Sequence, residues 1–286
     1  MSALGGLATW ALAAAVGFLA LRYLVLATDG FTSTPVLFRT NHRGDEVPAS
    51  GGILVVFAVL LVEAGRSMLG ALGVGGDPGE NVARTLVLFA CLAFGFLGFV
   101  DDVLGDAGDR GFRGHIRALA EGRMTTGLLK LLGGAAAALI LVAVPDFVSG
   151  KRLIADAVLI ALAANLGNLF DRAPGRTIKV ALVAYTPLAL VAGSGPVGVA
   201  VAPVMGASLG ILGDDLRERV MLGDAGANVI GAVLGLMVVL ELGRGARTAV
   251  LVALLVLNVA AELVSFSDVI ARTPFLRRFD EAGRTP

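Results

Sequence analysis

The 286-residue sequence predicts an all-α fold: a polytopic membrane helical bundle of about nine transmembrane helices. Three observations predict it. Hydrophobic residues make up 56% of the chain and charged ones only 16%, with mean hydropathy +0.84. Soluble domains run nearer half apolar and a quarter charged, so this chain has too little polar surface to cover a globule. The apolar excess is gathered into blocks long enough to cross ~30 Å of hydrocarbon. The loops between those blocks also alternate, long and polar after the odd-numbered blocks and mostly short after the even-numbered ones. The only cysteine, Cys91, lies inside an apolar block, which excludes a disulfide framework and a Cys-based metal site.

The first block, 3–27, lacks the positive start of a signal peptide and is too long for its apolar core, so it reads as a retained span. Its arginine, Arg22, comes late, which points the N-terminus outward. The second block, 51–72, is entered through "PASGG", with Ser50 placed to cap the helix. The third, 83–100, runs into Asp101 and Asp102, with Asp106 beyond. Carboxylates there face the unpaired carbonyls and negative dipole end of their own helix, so another partner is needed to explain them. The fourth block, 126–148, carries Lys130 inside its start, and the fifth, 153–169, ends in "NLGNLFDRAPGR". The sixth and seventh, 178–194 and 196–213, are separated only by "GSGP". The eighth, 226–243, follows "LGDAGA", and the ninth, 247–264, leads into a tail at 265–286. No internal repeat or linker divides the chain, which reads as a single integral membrane domain over 1–286.

Most of the 23 Lys and Arg fall in the loops after odd-numbered blocks, so by the positive-inside rule those loops are cytoplasmic. The N-terminus is then outside and the tail inside a multi-pass plasma (inner) membrane protein. Every polar cluster that could carry chemistry lies on that same face.

Asp101 and Asp102 form a candidate cation site, because a divalent ion offsets their repulsion and suits nearby carbonyls. Hard oxygen donors of this kind suit Mg²⁺ or Mn²⁺, and Mg²⁺ typically takes one or two carboxylates plus substrate phosphates. Asp224 reads either as a helix N-cap or as a further metal ligand. Asp214 and Asp215 read as loop acids able to pair with Arg217 and Arg219. Asn165, Asn168 and Asp171 fall at i, i+3 and i+6 and share one helix face. Amides inside a span are costly unless paired or lining a polar cavity, so this face reads as an interhelical contact or as a site for a nucleotide or sugar edge. Lys130, set within an apolar segment, is a candidate phosphate ligand, as is Arg43 in "NHRGDEVPASGG". The basic residues Arg110, Arg113, His115, Arg117 and Arg123 read as positive-inside charge.

In this order and on one face, these clusters resemble the polyprenyl-phosphate N-acetylhexosamine-1-phosphate transferases. The carriers are Pro48–Gly52, Asp101–Asp102, Lys130, Asn165-x-x-Asn168-x-x-Asp171 and "LGDAGA" at 222–227. The resemblance implies transfer of a sugar-1-phosphate from a UDP-sugar to undecaprenyl (polyprenyl) phosphate at the cytoplasmic face of a bacterial membrane, with Mg²⁺ and release of UMP, in cell-wall or surface-glycan synthesis. It implies Asp101 and Asp102 as the catalytic acidic pair and Asp224, with Asp102, as metal ligands. It also implies Asn165, Asn168 and Asp171 on the nucleotide side and Lys130 on a phosphate. It implies no nucleic-acid partner and is compatible with a homodimer.

The chain departs from that pattern. After Asp171 the run reads "DRAPG", so Pro174 stands where the family has a second aspartate, and the region after the ninth block has no histidine cluster. Arg272, Arg277, Arg278 and Arg284 of the tail are candidates to replace those histidines on a phosphate. A non-catalytic polyprenyl-phosphate binder therefore stands as an alternative. A transporter is a third reading, because Glu63, Arg66, Asp156, Glu241 and Glu262 lie in or near spans. Glu63 and Arg66, however, are spaced to pair with each other.

Overall fold

The computed structural model describes residues 3–28, 34–74, 78–105, 121–122, 125–143 and 152–285. Asp106, Arg110, Arg113, His115, Arg117 and Arg123 lie outside the described residues. Each of the nine apolar blocks forms a helix: α1 Ala3–Ala27, α2 Gly51–Ala71, α3 Pro78–Leu104, α4 Thr126–Val142, α5 Leu153–Phe170, α6 Arg176–Ala192, α7 Pro196–Leu216, α8 Gly223–Glu241 and α9 Arg244–Leu263. Two short tail helices follow, α10 Phe266–Arg272 and α11 Pro274–Glu281. Among the described residues, seven helices are long and apolar enough to cross a membrane. The other two long helices, α4 and α6, have 17 residues each, or about 26 Å of rise, a crossing near the thin limit.

The helices overrun the apolar blocks where polar side chains begin. Helix α3 continues to Leu104 and takes Asp101 and Asp102 into its last turn. Helix α7 continues to Leu216 and takes in Asp214 and Asp215, while α8 starts at Gly223 with Asp224 in its first turn. The break at "GSGP" is real: Gly193 (φ 54°) ends α6, and Pro196 opens α7 at a position where its missing N–H costs nothing.

Helices α7 and α8 form the buried centre, with nearly every residue enclosed, and α8 packs against α2, α3, α5, α6 and α7. Helix α9 buries only Leu254 and exposes Val252, Leu255, Val256 and Val259. An apolar face of that kind suits lipid, where no hydrophobic force drives it inward.

Close approach depends on two glycines. A Cβ on Gly52 would lie 2.0 Å from the Gly226 nitrogen, and one on Gly98 would lie 2.4 Å from the Asp224 carbonyl oxygen. Both contacts are with backbone, which cannot swing aside. Gly98 sits one turn before Asp102 and so lets the end of α3 reach the start of α8. Gly52→Val is expected to force α2 off α8 and destabilise the bundle by about 3 kcal/mol or more, the upper range for overpacking. Thermal unfolding in detergent checks this, and an unchanged transition would refute the close approach.

The entry to α2 differs from expectation. Ser50 occupies the N-cap position but makes no cap bond, and its buried Oγ has no partner. The first N–H groups of α2 bond to backbone instead: Gly51 N–H to the Met221 carbonyl (3.0 Å) and Gly52 N–H to the Leu222 carbonyl (2.8 Å). Before α2, β1 (Phe38–Thr40) pairs antiparallel with β2 (Glu46–Pro48) in the register Phe38↔Pro48, Arg39↔Val47, Thr40↔Glu46. The side chain of Asn41 closes the turn, with Oδ1 accepting from the N–H of Arg43 (2.9 Å) and of Asp45 (2.8 Å).

The tail folds back across the helix ends. Phe266 stacks on Phe170 at the end of α5, with ring centroids 5.2 Å apart. Arg176, at the start of α6, forms a two-bonded pair with Asp280 (2.8 and 2.9 Å) and also bonds Ser267 (2.9 Å). Lys179 donates to the carbonyls of Phe279, Asp280 and Ala282.

Candidate active site

Helices α3 and α8 meet end to end. Asp102 accepts the N–H of Asp224 on one oxygen and the N–H of Ala225 on the other, both at 3.0 Å. These are first-turn donors that α8 leaves open, since its N-cap residue is Leu222 and supplies no side-chain bond. The position of Asp102 is unfavourable toward its own helix by ~0.3–1 kcal/mol. Two charge-assisted bonds at ~1.5–3 kcal/mol each outweigh that. A carboxylate misplaced on α3 is thus well placed on α8.

Asp101 turns the other way, toward Lys130 of α4. The Lys130 Nζ lies 2.8 Å from Asp101 Oδ2 and also contacts Asp224 Oδ2. The Asn168 amide, oriented so that its partners match, donates to Asp224 Oδ1 (2.6 Å) and accepts from Lys130 Nζ (3.0 Å). Four helices, α3, α4, α5 and α8, therefore bring Asp101, Lys130, Asn168 and Asp224 into one cluster, with Asp102 behind it.

Beside the cluster is a cavity of about 380 Å³ lined by Asp102, Asp171, Asp215 and Asp224, with Arg39, His42 and Arg172 among the cationic or titratable side chains. Asp171 follows the last turn of α5 and accepts a bond from the Thr177 hydroxyl (3.3 Å). Enclosure pushes its carboxyl well above the ordinary carboxylate range, and the charges of Asp215, Asp224 and Asp102 push it further. Negative charge in excess of this kind favours a bound cation.

Three residues build the frame: Asp215, read from the sequence only as a loop acid, and Glu218 and Asp280, which the sequence did not single out. Asp215 accepts from the N–H of Gly175 (2.7 Å) and of Leu222 (3.1 Å), tying together the turns before α6 and α8. Glu218 has a left-handed backbone (φ 53°), the one non-glycine example among the described residues. Its carboxylate accepts from Asn41 (2.9 Å) and lies 3.3 Å from His42 Nδ1 and 3.2 Å from Arg43 Nε, so it clasps the hairpin tip over the cavity. Strain of this sort persists only where surrounding contacts enforce it. Asp280 anchors the tail to Arg176 and lies 2.8 Å from Arg284. Most of these contacts link segments far apart in sequence and leave no periodic or spacing signal; the Asp280–Arg284 pair, at i,i+4, is the exception.

Two site residues proposed from the sequence are placed elsewhere. Asn165 donates to Asn258 Oδ1 of α9 (2.7 Å), making the interhelical contact that was the other reading of an intramembrane amide. Arg43 is held by Glu218 and by the Thr285 carbonyl (2.9 Å) and does not line the cavity. Asp214 pairs with Arg22 of α1 as well as with Arg219 (3.5 Å). Arg284 bonds the Pro174 carbonyl (2.9 Å) in addition to Asp280, so it braces the turn after Asp171.

Two of the acids within the spans, Glu63 and Asp156, are paired. Glu63 holds Arg66 (2.9 Å) and Arg84 (2.6 Å), and the fully buried Asp156 holds Arg247 (2.8 Å) with Arg152 at 3.5 Å.

Burial raises the Asp280 carboxyl, but the hydrogen bonds and charge of Arg176, with Arg284, outweigh burial and hold it below the usual range. A depressed folded pKa adds stability that is present above the unfolded value of ~3.9 and lost as pH falls through the folded value. Tail docking is therefore expected to be pH-independent from neutrality down to about 4 and to loosen only below it. Asp280→Asn is expected to cost ~2 kcal/mol, less than the ~3–5 of a fully buried pair because the tail lies at the surface. Limited proteolysis of the tail against pH reads both effects, and a tail released already at pH 6 would refute the pairing.

An apolar groove of about 160 Å³ runs between α5, α6, α8 and α9, lined by residues that include Leu159, Leu166, Phe170, Leu234 and Leu254. Thr177 lines the groove and bonds Asp171, so the groove reaches the wall of the polar cavity.

Fold and site together define a polytopic α-helical membrane protein with a lysine-clasped carboxylate centre at one end of its bundle. No family model matches the chain. Two curated relatives are each named phospho-N-acetylmuramoyl-pentapeptide-transferase. The protein of Clostridioides difficile (strain 630) is 25% identical over 208 residues, covering 68% of this chain and 61% of that protein. That of Oceanobacillus iheyensis is 27% identical over 230 residues, covering 71% of this chain and 64% of that protein. The chain thus spans less than two thirds of the length of these relatives. The chain is similar to these transferases at low identity.

Proposed function

We propose that the chain transfers a sugar-1-phosphate from a UDP-sugar to a polyprenyl phosphate at the cytoplasmic membrane face, with Mg²⁺, releasing UMP for cell-wall or surface-glycan synthesis. The observation that carries this reading is the meeting of the apolar groove with the acidic cavity at Asp171 and Thr177. A lipid chain suits the groove, and its phosphate then reaches the polar side.

Among the described residues no three His, Cys, Asp or Glu side chains close into a metal cage. Mg²⁺ needs no such cage, because it binds through one or two carboxylates and substrate phosphates, and the carboxylates lining the cavity fit that demand. Asp224 and Asp102 would hold it, and when bound it would offset phosphate charge.

The chain's own residues do the rest. Lys130 presents a cation fixed by Asp101 and Asp224, and Asn168 fixes the orientation of both Lys130 and Asp224. Asp102 sets the start of α8 and hence the position of Asp224. A lipid phosphomonoester, with a second pKa of about 6, is already largely ionised at neutral pH and needs no strong base. The requirement is positioning and charge compensation, which this arrangement supplies.

The cytoplasmic orientation rests on loop charge. Labelling of cysteines introduced at exposed loop positions of both faces tests it. The activity is tested by UMP release from a panel of UDP-sugars with undecaprenyl phosphate and Mg²⁺ in lipid. Release with one donor is expected. Lipid-phosphate binding without any turnover would establish the non-catalytic binder instead, a reading favoured by Lys130 occupying the space between Asp101 and Asp224.

A further inference from the structure

The tail extends the molecule along the bundle end, independent of the transferase reading. Helix α9 ends at Leu263, with Leu263 79% and Val264 50% exposed, and α10 begins three residues later, at Phe266. The tail then touches in turn the end of α5 (Phe266 on Phe170), the start of α6 (Asp280 on Arg176) and the end of α7 (Gly283 beside Leu216). These three contacts fix its course across the helix ends of that side of the bundle.

One side of α11 is committed to the protein, through Asp280. Phe275 is 78% exposed, and Leu276 and Phe279 are also exposed. Positions 275, 276 and 279 share a helix face; Arg278 is exposed at its border and Arg277 on the side away from it, within reach of headgroups through its long side chain. Lys179 lies 5.8 Å from the Phe279 ring centroid, at the inner border of this face. Aromatic and aliphatic side chains flanked by arginines, on a short helix joined directly to a span, are suited to the headgroup boundary of an anionic leaflet.

We infer that α11 is an interfacial membrane-docking helix, with Phe275 at the acyl boundary and Arg277 and Arg278 on anionic lipid headgroups. The tail is then held from two sides, by Arg176 within the protein and by lipid outside it.

The full chain carrying Phe275→Cys, labelled with a nitroxide, tests this in nanodiscs of known lipid, since Cys91 is fully buried. Collision with oxygen is expected to exceed collision with a water-soluble nickel chelate at position 275, and the order is expected to reverse at an exposed control site, Glu281→Cys. Replacing phosphatidylcholine with phosphatidylglycerol is expected to deepen the position 275 signal, and Arg277→Gln with Arg278→Gln to remove that gain. A position 275 label that collides mainly with the nickel chelate in both lipids would overturn the inference and leave the face for a protein partner. Equal depth in both lipids would overturn the role of the arginines.

Discussion

Asp224→Asn is expected to lower UMP release by at least ~10³-fold, with the fold retained. Electrostatic groups aimed at developing charge supply about 10²–10³ each, and Asp224 serves two roles, as partner of Lys130 and as prospective metal ligand. An asparagine keeps the shape and can still accept from Lys130, so thermal stability should change little. It lacks the charge that orients the ammonium and attracts a divalent cation. The backbone N–H at position 224 would still reach Asp102, so α8 should start in the same place. Wild-type turnover in this variant, measured with saturating donor, lipid phosphate and Mg²⁺, is the result that would remove Asp224 from the mechanism.

Lys130→Met is the second large effect, and here stability falls with activity. Removing the cation leaves Asp101 and Asp224 facing each other, both part-buried and without their shared partner. Breaking a buried ion pair by deleting one member costs ~3–5 kcal/mol, and part-exposure of these carboxylates brings the expected value to the lower end. A double variant that also carries Asp101→Asn should recover much of the stability and none of the activity. Read beside Asp101→Asn alone, which keeps the cation, that split separates Lys130 as a cation needed for chemistry from Lys130 as a structural counter-ion. Recovery of both together would mean that only the structural part is real.

Much of the fold was readable because its signal is local. Nine apolar blocks give nine helices, and even the weak boundary at Gly193–Pro196 is a true break. The errors lie at helix ends, where the apolar run stops before the hydrogen bonding does. Asp101, Asp102, Asp214 and Asp215 therefore proved to be helical. Asn165 and Asn168 look equivalent by period, yet only Asn168 reaches the cluster, because Asn258 of α9 faces the other. Which neighbour stands opposite a given turn is a property of packing, and no spacing encodes it. The hairpin at 38–48 escaped for a related reason: its strands are three residues each and carry no alternation long enough to read.

The bond from Asp102 to the first turn of α8 also has a temporal side. Asp102 leaves the ribosome more than a hundred residues ahead of Asp224. Through most of synthesis the carboxylates at the end of α3 have neither backbone donors from α8 nor the Asp224 that completes the grip on Lys130. The centre therefore comes together only as α8 enters the bilayer. A chain stalled before that point carries every earlier ingredient of the site and none of its geometry.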